Sequence, residues 1–150
     1  MKEVYYVYNN EAIASCILLS VLKIVGELDI ARCCLVLPFL LDDRTVSYVN
    51  RNSTEELTLK KLIDEQPSLF ASFNKRYLAL MPIMINSLMI LKKGDEIRIH
   101  DQIISNNKLD VSNAELGDRF LKIRKAIPYF VELIQNYPTE HLYKILRVQL

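Results

Sequence analysis

Cysteine and histidine are the residue types in this chain that could act as nucleophiles, redox centres or metal ligands. The three cysteines are Cys16, Cys33 and Cys34, and the two histidines are His100 and His141. No pair has the CxxC spacing of a zinc or redox site, and neither histidine has a carboxylate or cysteine at a metal-ligand spacing. We therefore interpret the cysteines as buried cytosolic thiols and expect no metal site and no disulfide framework.

Motifs that bind phosphate or perform acid–base catalysis are also missing from the sequence. Only three glycines occur, and neither GxxxxGK[ST] nor GxGxxG is present. Adjacent acids occur at Asp42–Asp43 and Glu55–Glu56, and adjacent carboxylates at helix ends more often stabilise the helix dipole than act as an acid/base pair. We expect a protein that is not an enzyme, with no cofactor and no small-molecule substrate.

Basic residues crowd two stretches and form the first candidate binding site, for a partner protein or for DNA. One cluster, at the predicted hairpin, is Lys92, Lys93 and Arg98, and the other, on a predicted helix, is Arg119, Lys122, Arg124 and Lys125. Together they could contact a nucleic-acid backbone or an acidic protein. The alternative is that they are a solvated turn and a solvated helix face.

The two ends of the chain supply the second candidate site, for docking a partner. Tyr5, Tyr6 and Tyr8 precede the first predicted helix, and Leu142, Tyr143 and Leu146 lie near the other end. Tyrosine and large apolar side chains are favoured anchors in protein interfaces. Docking of both segments into their own domain is the alternative interpretation.

Length and composition indicate one compact domain over residues 1–150. The chain is 51% hydrophobic, enough for one core, and its few glycines and prolines favour helices over a turn-rich β fold. A net charge of +1 gives no general attraction for nucleic acid or membranes. The first ten residues lack signal-peptide features, and the apolar stretches are shorter than the roughly 20 residues of a membrane span, so we predict a cytoplasmic protein.

Local signals predict a series of helices. Asn9–Asn10–Glu11 should begin a core helix that ends at Gly26, and Asp29 should begin a second helix to about Val49, kinked or split at Pro38. After a polar loop at 50–53, Thr54–Leu57 carries a capping pattern for a short helix ending near Gln66. Pro67 should begin another helix.

The second half of the chain has one amphipathic stripe and one strand signal. The stripe consists of Leu69, Phe70, Phe73, Tyr77, Leu80, Met84 and Leu88, with a bend expected at Pro82. Residues 89–100 predict a two-stranded hairpin around Lys93–Gly94–Asp95, followed by a loop over 101–110. A long helix should then run from Ser112 to about Asn136, with a short helix after Pro138–Thr139. A hairpin directly after helices predicts a mainly α fold with a small β-hairpin, a winged-helix-like helical domain. The same junction also occurs in many α+β folds, so the order of elements alone does not establish a winged helix.

Several segments together resemble a known family, the middle components of bacterial three-component ABC-ATPase conflict systems, which include the small subunit of Lamassu-type antiphage defence. The segments that resemble it, in order, are residues 8–14 (YNNEAIA), 34–41 (CLVLPFLL), Thr58–Leu59, 73–76 (FNKR) with Leu80 and Pro82, Lys125–Ala126 with Phe130, and 142–148 (LYKILRV). The sequence departs from the family pattern at Glu11 and Leu150, where proline is common, and at Arg147, where glycine is common. It also has no tryptophan in the first helix.

The resemblance implies a winged-helix-like adaptor that binds a large ABC or structural-maintenance-type ATPase and an effector such as a nuclease, with double-stranded DNA contacted through the complex. A stand-alone winged-helix regulator that binds duplex DNA as a dimer is the competing hypothesis. An unrecognised enzyme would need a pocket with convergent polar groups, which the sequence does not indicate.

Overall fold

A computed structural model describes residues 10–53, 56–111 and 116–149. The helices are α1 (Glu11–Val25), α2 (Ile30–Cys33), α3 (Val36–Leu40), α4 (Asp43–Arg51), α5 (Leu59–Glu65), α6 (Pro67–Phe70), α7 (Phe73–Lys93), α8 (Gly117–Gln135) and α9 (Thr139–Ile145). The strands are β1 (Glu27–Asp29), β2 (Ile97–Ile99) and β3 (Gln102–Ser105). The prediction of a mainly α fold with a small hairpin is confirmed.

The core helix α1 begins and ends where the local signals predict. The Asn10 side chain accepts a hydrogen bond from the Ile13 amide at 3.2 Å, and Gly26 follows the last turn with a φ of 86°. Only glycine adopts that φ at little cost, so it can close the helix there. α1 packs against both α7 and α8, which makes it the centre of the fold.

The predicted second helix is three short helices, and the prediction that Pro38 breaks it is wrong. The chain turns at Cys34–Leu35 and again at Leu41–Asp42, whereas Pro38 is the third residue of α3. In the first turn of a helix the amide groups have no intrahelical acceptor, so the missing N–H of proline costs little there. Asp42 instead begins α4, because its carboxylate accepts from both the amide and the hydroxyl of Thr45.

The hairpin begins eight residues later than predicted, at Ile97 rather than at Met89. Residues 89–93 continue α7, because Leu88 and Leu91 keep the helix packed on the core, and the Lys93–Gly94–Asp95 turn connects that helix to β2. The hairpin is β2–β3, with His100 and Asp101 at its turn, so part of the predicted 101–110 loop is a strand. β1, which the sequence did not suggest, pairs antiparallel with β3 and gives the order β1-β3-β2.

Other boundaries move by a few residues. Thr58 begins α5 by accepting from the Lys61 amide at 3.2 Å, whereas the predicted capping residues Thr54 and Glu55 lie outside the described residues. Residues 50–51, predicted as loop, close α4. Pro67 begins α6 and Thr139 begins α9, as predicted. The predicted start of α8 at 112–115 also lies outside the described residues.

Aromatic side chains join the helices in the core. The Phe39 ring lies 4.8 Å from that of Phe130 and 6.1 Å from that of Phe70, measured between centroids, so α3, α8 and α6 meet there. The predicted stripe faces inward: all seven residues are buried except Phe70, which is partly buried. Among the described residues, no helix has the length and apolar character that crossing a membrane requires.

Candidate interaction surfaces

The four basic residues predicted as one face of α8 have different surroundings. Arg119 is held within the fold: its Nε donates to Asp43 Oδ1 at 2.8 Å and its second guanidinium nitrogen to the Leu41 carbonyl at 3.0 Å. Its side chain is 23% exposed. Arg119 therefore ties α8 to the start of α4.

Lys122 and Lys125 are exposed and line a groove between α8 and α4, with a volume of about 640 Å³. From α4 the groove receives Arg44 and Arg51, which sequence reasoning missed. The Asn50 amide holds the two helices together by donating to the Lys122 carbonyl at 2.9 Å. The seven-residue spacing of Arg44 and Arg51, which places both on one helix face, was the available signal.

Arg124 belongs to a different surface. It lines a second cavity of about 300 Å³ together with Lys23 and Lys108. Lys23 forms an ion pair with Asp110 across 3.6 Å. The predicted face of α8 is thus divided between a structural arginine, a groove and a separate cavity.

The hairpin cluster lies on two elements. Lys92 and Lys93 are exposed in the last turn of α7, where cations stabilise the helix dipole, and Arg98 is exposed on β2. Asp95 pairs with Lys108, and that contact lowers the pKa of the Asp95 carboxyl below its ordinary value. No residue of this cluster lines the groove at Lys122 and Lys125, and none lines the cavity at Arg124.

The C-terminal docking candidates pack within the chain itself. Leu142 and Leu146 are buried, and the Tyr143 hydroxyl donates to the Ala31 carbonyl at 2.6 Å and lies 3.1 Å from the Tyr77 hydroxyl. These contacts agree with the self-docking alternative for this end of the chain. Tyr5, Tyr6 and Tyr8 lie outside the described residues.

The cysteines are placed where a thiolate is disfavoured. Cys33 is fully buried, and that burial raises the pKa of its thiol to about 12. Cys16 and Cys34 are partly exposed rather than buried as predicted, and burial still raises the pKa of each thiol. A neutral thiol is a poor nucleophile.

Neither histidine lies with other described side chains in an arrangement that could coordinate a metal ion. His141 stacks on Tyr137 with 5.6 Å between ring centroids, and His100 is exposed in the hairpin turn. Within 10–53, 56–111 and 116–149 no group of three or more His, Cys, Asp or Glu side chains could hold a metal ion.

The outer face of α7 carries an apolar stripe that the sequence analysis did not identify. Leu78, Ile85 and Met89 are 53%, 49% and 47% exposed, with the exposed Pro82 between them. Their spacing of four, three and four residues aligns them along one face of the helix, opposite the buried stripe. The signal was available, because the sequence of α7 is apolar at both sets of positions.

A family model for the ABC-three component (ABC-3C) system Middle Component 3 matches residues 2–150. The chain belongs to this family. A middle component is one part of a multi-component ABC-3C system, so membership implies partner proteins. No curated protein and no solved structure matches the chain.

Within this ABC-3C middle component, two segments that carried the resemblance meet in space. The segment at residues 34–41 contains α3, and the FNKR segment begins α7. Arg76 of the second segment donates to the Pro38 carbonyl of the first at 3.0 Å. Two of the segments that resemble the family are thus joined by a hydrogen bond that stabilises the fold. This contact is separate from the exposed stripe and from the groove.

Proposed function

We propose that the chain is a non-catalytic adaptor of an ABC-3C antiphage complex of the Lamassu type, in the cytoplasm, bridging an ABC/SMC-type ATPase and an effector such as a nuclease. Family membership supports a role with partner proteins. The absence of an activated nucleophile among the described cysteines is consistent with a binding role.

The observation that carries this proposal is the exposed apolar stripe of α7, formed by Leu78, Pro82, Ile85 and Met89. A single exposed apolar side chain is ordinary on a protein surface, but aligned ones form a patch. The first and last of these four residues are eleven residues apart, which is about 16.5 Å at 1.5 Å per residue. A patch of this length suits the apolar face of a partner helix, which docks through anchors at matching spacing.

The charges around the stripe define the chemistry of its partner. Lys75 precedes Leu78 by three residues, and Lys92 and Lys93 follow Met89 by three and four, so all three exposed lysines are neighbours of the stripe on the helix surface. A partner helix with an apolar ridge and acidic residues at both ends would match it. We propose that this partner helix is part of the ATPase.

The same face of α7 argues against the stand-alone regulator. A helix that reads base edges presents polar and basic side chains to the groove of DNA, because hydrogen bonds carry most of the sequence information. The outer face of α7 presents leucine, proline, isoleucine and methionine instead. The winged-helix-like interpretation of the fold stays a prediction, and α7 suits it poorly as a recognition helix.

The proposal is tested by co-expressing the chain with the ATPase and effector encoded beside it, with an affinity tag on the effector. We expect the tagged effector to retain the ATPase when the chain is present and to lose it when the chain is omitted. Ile85→Asp places a charge in the middle of the stripe and should abolish retention of the ATPase while the chain itself stays bound to the effector.

Leu121→Asp is the matched control, because Leu121 is 48% exposed, against 49% for Ile85, and lies on a different helix. It should retain the ATPase at the wild-type level. Equal loss in both variants would place the interface elsewhere. Retention of the ATPase by the effector without the chain would contradict bridging.

A further inference from the structure

The groove between α4 and α8 concentrates positive charge in a protein whose net charge is only +1. Arg44, Arg51, Lys122 and Lys125 are all exposed and line it. Within the described part of the chain, none of the four forms an ion pair. The groove is therefore a local positive surface that the overall charge balance conceals.

The two nearby acidic side chains, Asp43 and Glu65, do not pair with the four cations of the groove. Asp43 lines the groove, but its carboxylate pairs with Arg119. Glu65 accepts a long hydrogen bond of 3.4 Å from the Tyr48 hydroxyl. Neither acid contacts one of the four cations, so all four can meet a ligand.

We propose that this groove binds the phosphate backbone of double-stranded DNA, without reading its sequence. Besides the four cations, Ser47 and Gln66 line it, and each has a polar group that can donate a hydrogen bond to phosphate oxygens. Phosphate contacts of this kind position a protein on DNA and carry no sequence information. The groove lies between α4 and α8, whereas the apolar stripe lies on α7. This proposal therefore does not depend on the proposed docking of the ATPase.

The spacing of the cations fits a DNA duplex. Arg44 and Arg51 are seven residues apart on α4, which separates them by about 10.5 Å along the helix. A duplex carries one phosphate per about 1.7 Å of its axis, so about six phosphates occur over that length. The two arginines can therefore meet separate phosphates when α4 lies along the duplex, with Lys122 and Lys125 across the groove.

An acidic protein segment fits the groove less well. Protein interfaces depend on apolar and aromatic anchors in desolvated pockets. Leu69 and the ring of Tyr48 are the apolar groups among the lining side chains, and Leu69 is already buried in the core. A phosphate backbone needs no apolar anchor, so the chemistry of the lining favours DNA.

The test measures binding of the purified full-length chain to a fluorescein-labelled DNA duplex by anisotropy, as NaCl is raised from about 50 to 200 mM. With four phosphate contacts, the slope of log K against log salt should be about −3.6. Arg44→Gln combined with Lys122→Gln removes two contacts and should reduce that slope to about −1.8. A second duplex of unrelated sequence should bind equally well.

Lys92→Gln combined with Lys93→Gln is the matched control, since it removes the same charge from two exposed lysines outside the groove. It should keep the wild-type slope. Circular dichroism checks the fold of each variant, and Arg51→Gln with Lys125→Gln replaces any groove variant that fails to fold. Equal slopes in groove and control variants would overturn the proposal, as would a wild-type chain without salt-sensitive DNA binding. Binding of poly-glutamate but not DNA, lost in the groove variants, would assign the groove to an acidic protein and also overturn it.

Discussion

The guanidinium of Arg76 closes the end of α3, because its Nε donates to the backbone carbonyl of Pro38 at 3.0 Å. The last carbonyls of a helix have no partner within it, and α3 is only five residues long. Two further nitrogens of the same guanidinium donate to the Leu69 carbonyl and to the Ser72 hydroxyl. One side chain from α7 thus satisfies acceptors on two segments that precede it.

Replacing Arg76 by alanine should lower the free energy of unfolding by about 2–3 kcal/mol, because charge-assisted hydrogen bonds are lost and partly buried carbonyls are left without donors. Urea denaturation measures the change. Lys75→Ala, at the neighbouring exposed position, should change the stability by less than about 0.5 kcal/mol. Similar losses in the two variants would show that the contact with Pro38 contributes little.

Ser87 should be replaceable by alanine with a gain in stability. It is fully buried in α7, and its hydroxyl has no hydrogen-bond partner in the described chain. Removing a buried unsatisfied hydroxyl and improving helix propensity should add about 1 kcal/mol to the free energy of unfolding. Ser20→Ala is the control, because the Ser20 hydroxyl donates to the Cys16 carbonyl at 2.7 Å. A destabilised Ser87→Ala protein would mean that the hydroxyl is satisfied.

The buried Cys33 thiol should make the folded protein less stable at alkaline pH. Its pKa is about 12 in the folded chain, raised by burial from an ordinary value of 9.0. Between these values the unfolded chain releases the thiol proton and the folded chain keeps it, so stability falls as pH rises. The contribution of this thiol is constant below about pH 9 and is lost at about 1.4 kcal/mol per pH unit above it.

Denaturant unfolding of the wild type and of Cys33→Ala across this pH range isolates the effect. The substitution lowers stability at every pH by creating a cavity, but the decline above pH 9 should be shallower than in the wild type. Parallel declines in the two proteins would contradict the assignment to Cys33.

Arg119 should behave unlike the other basic residues of α8. Arg119→Gln loses the contacts with Asp43 and the Leu41 carbonyl, whereas Lys122→Gln removes an exposed charge. Because Asp43 is 70% exposed and solvent screens the pair, we expect a loss of about 1 kcal/mol for Arg119→Gln. That corresponds to about 2–4 °C in Tm for a chain of this size. Equal melting temperatures for the two variants would contradict the structural role of Arg119.

Local sequence signals determined several helix ends in this protein. Asn10 and Gly26 bound α1, Pro67 begins α6 and Pro138 precedes α9. Each depends on groups within a few residues of one another, such as an amide that meets a side chain three positions away, so sequence alone contains the information. The order of short segments along the chain likewise indicated the family.

Tertiary structure alone decided the features that join distant residues. β1 is three residues long and forms because Leu28 pairs with Ile103 across the sheet, a contact that no local pattern encodes. The hairpin moved because buried packing of Leu88 and Leu91 extended α7 through residues that could also form a strand. The groove depends on α4 and α8, which are far apart in sequence, so Arg44 and Lys122 became one surface only when the core brought those helices together.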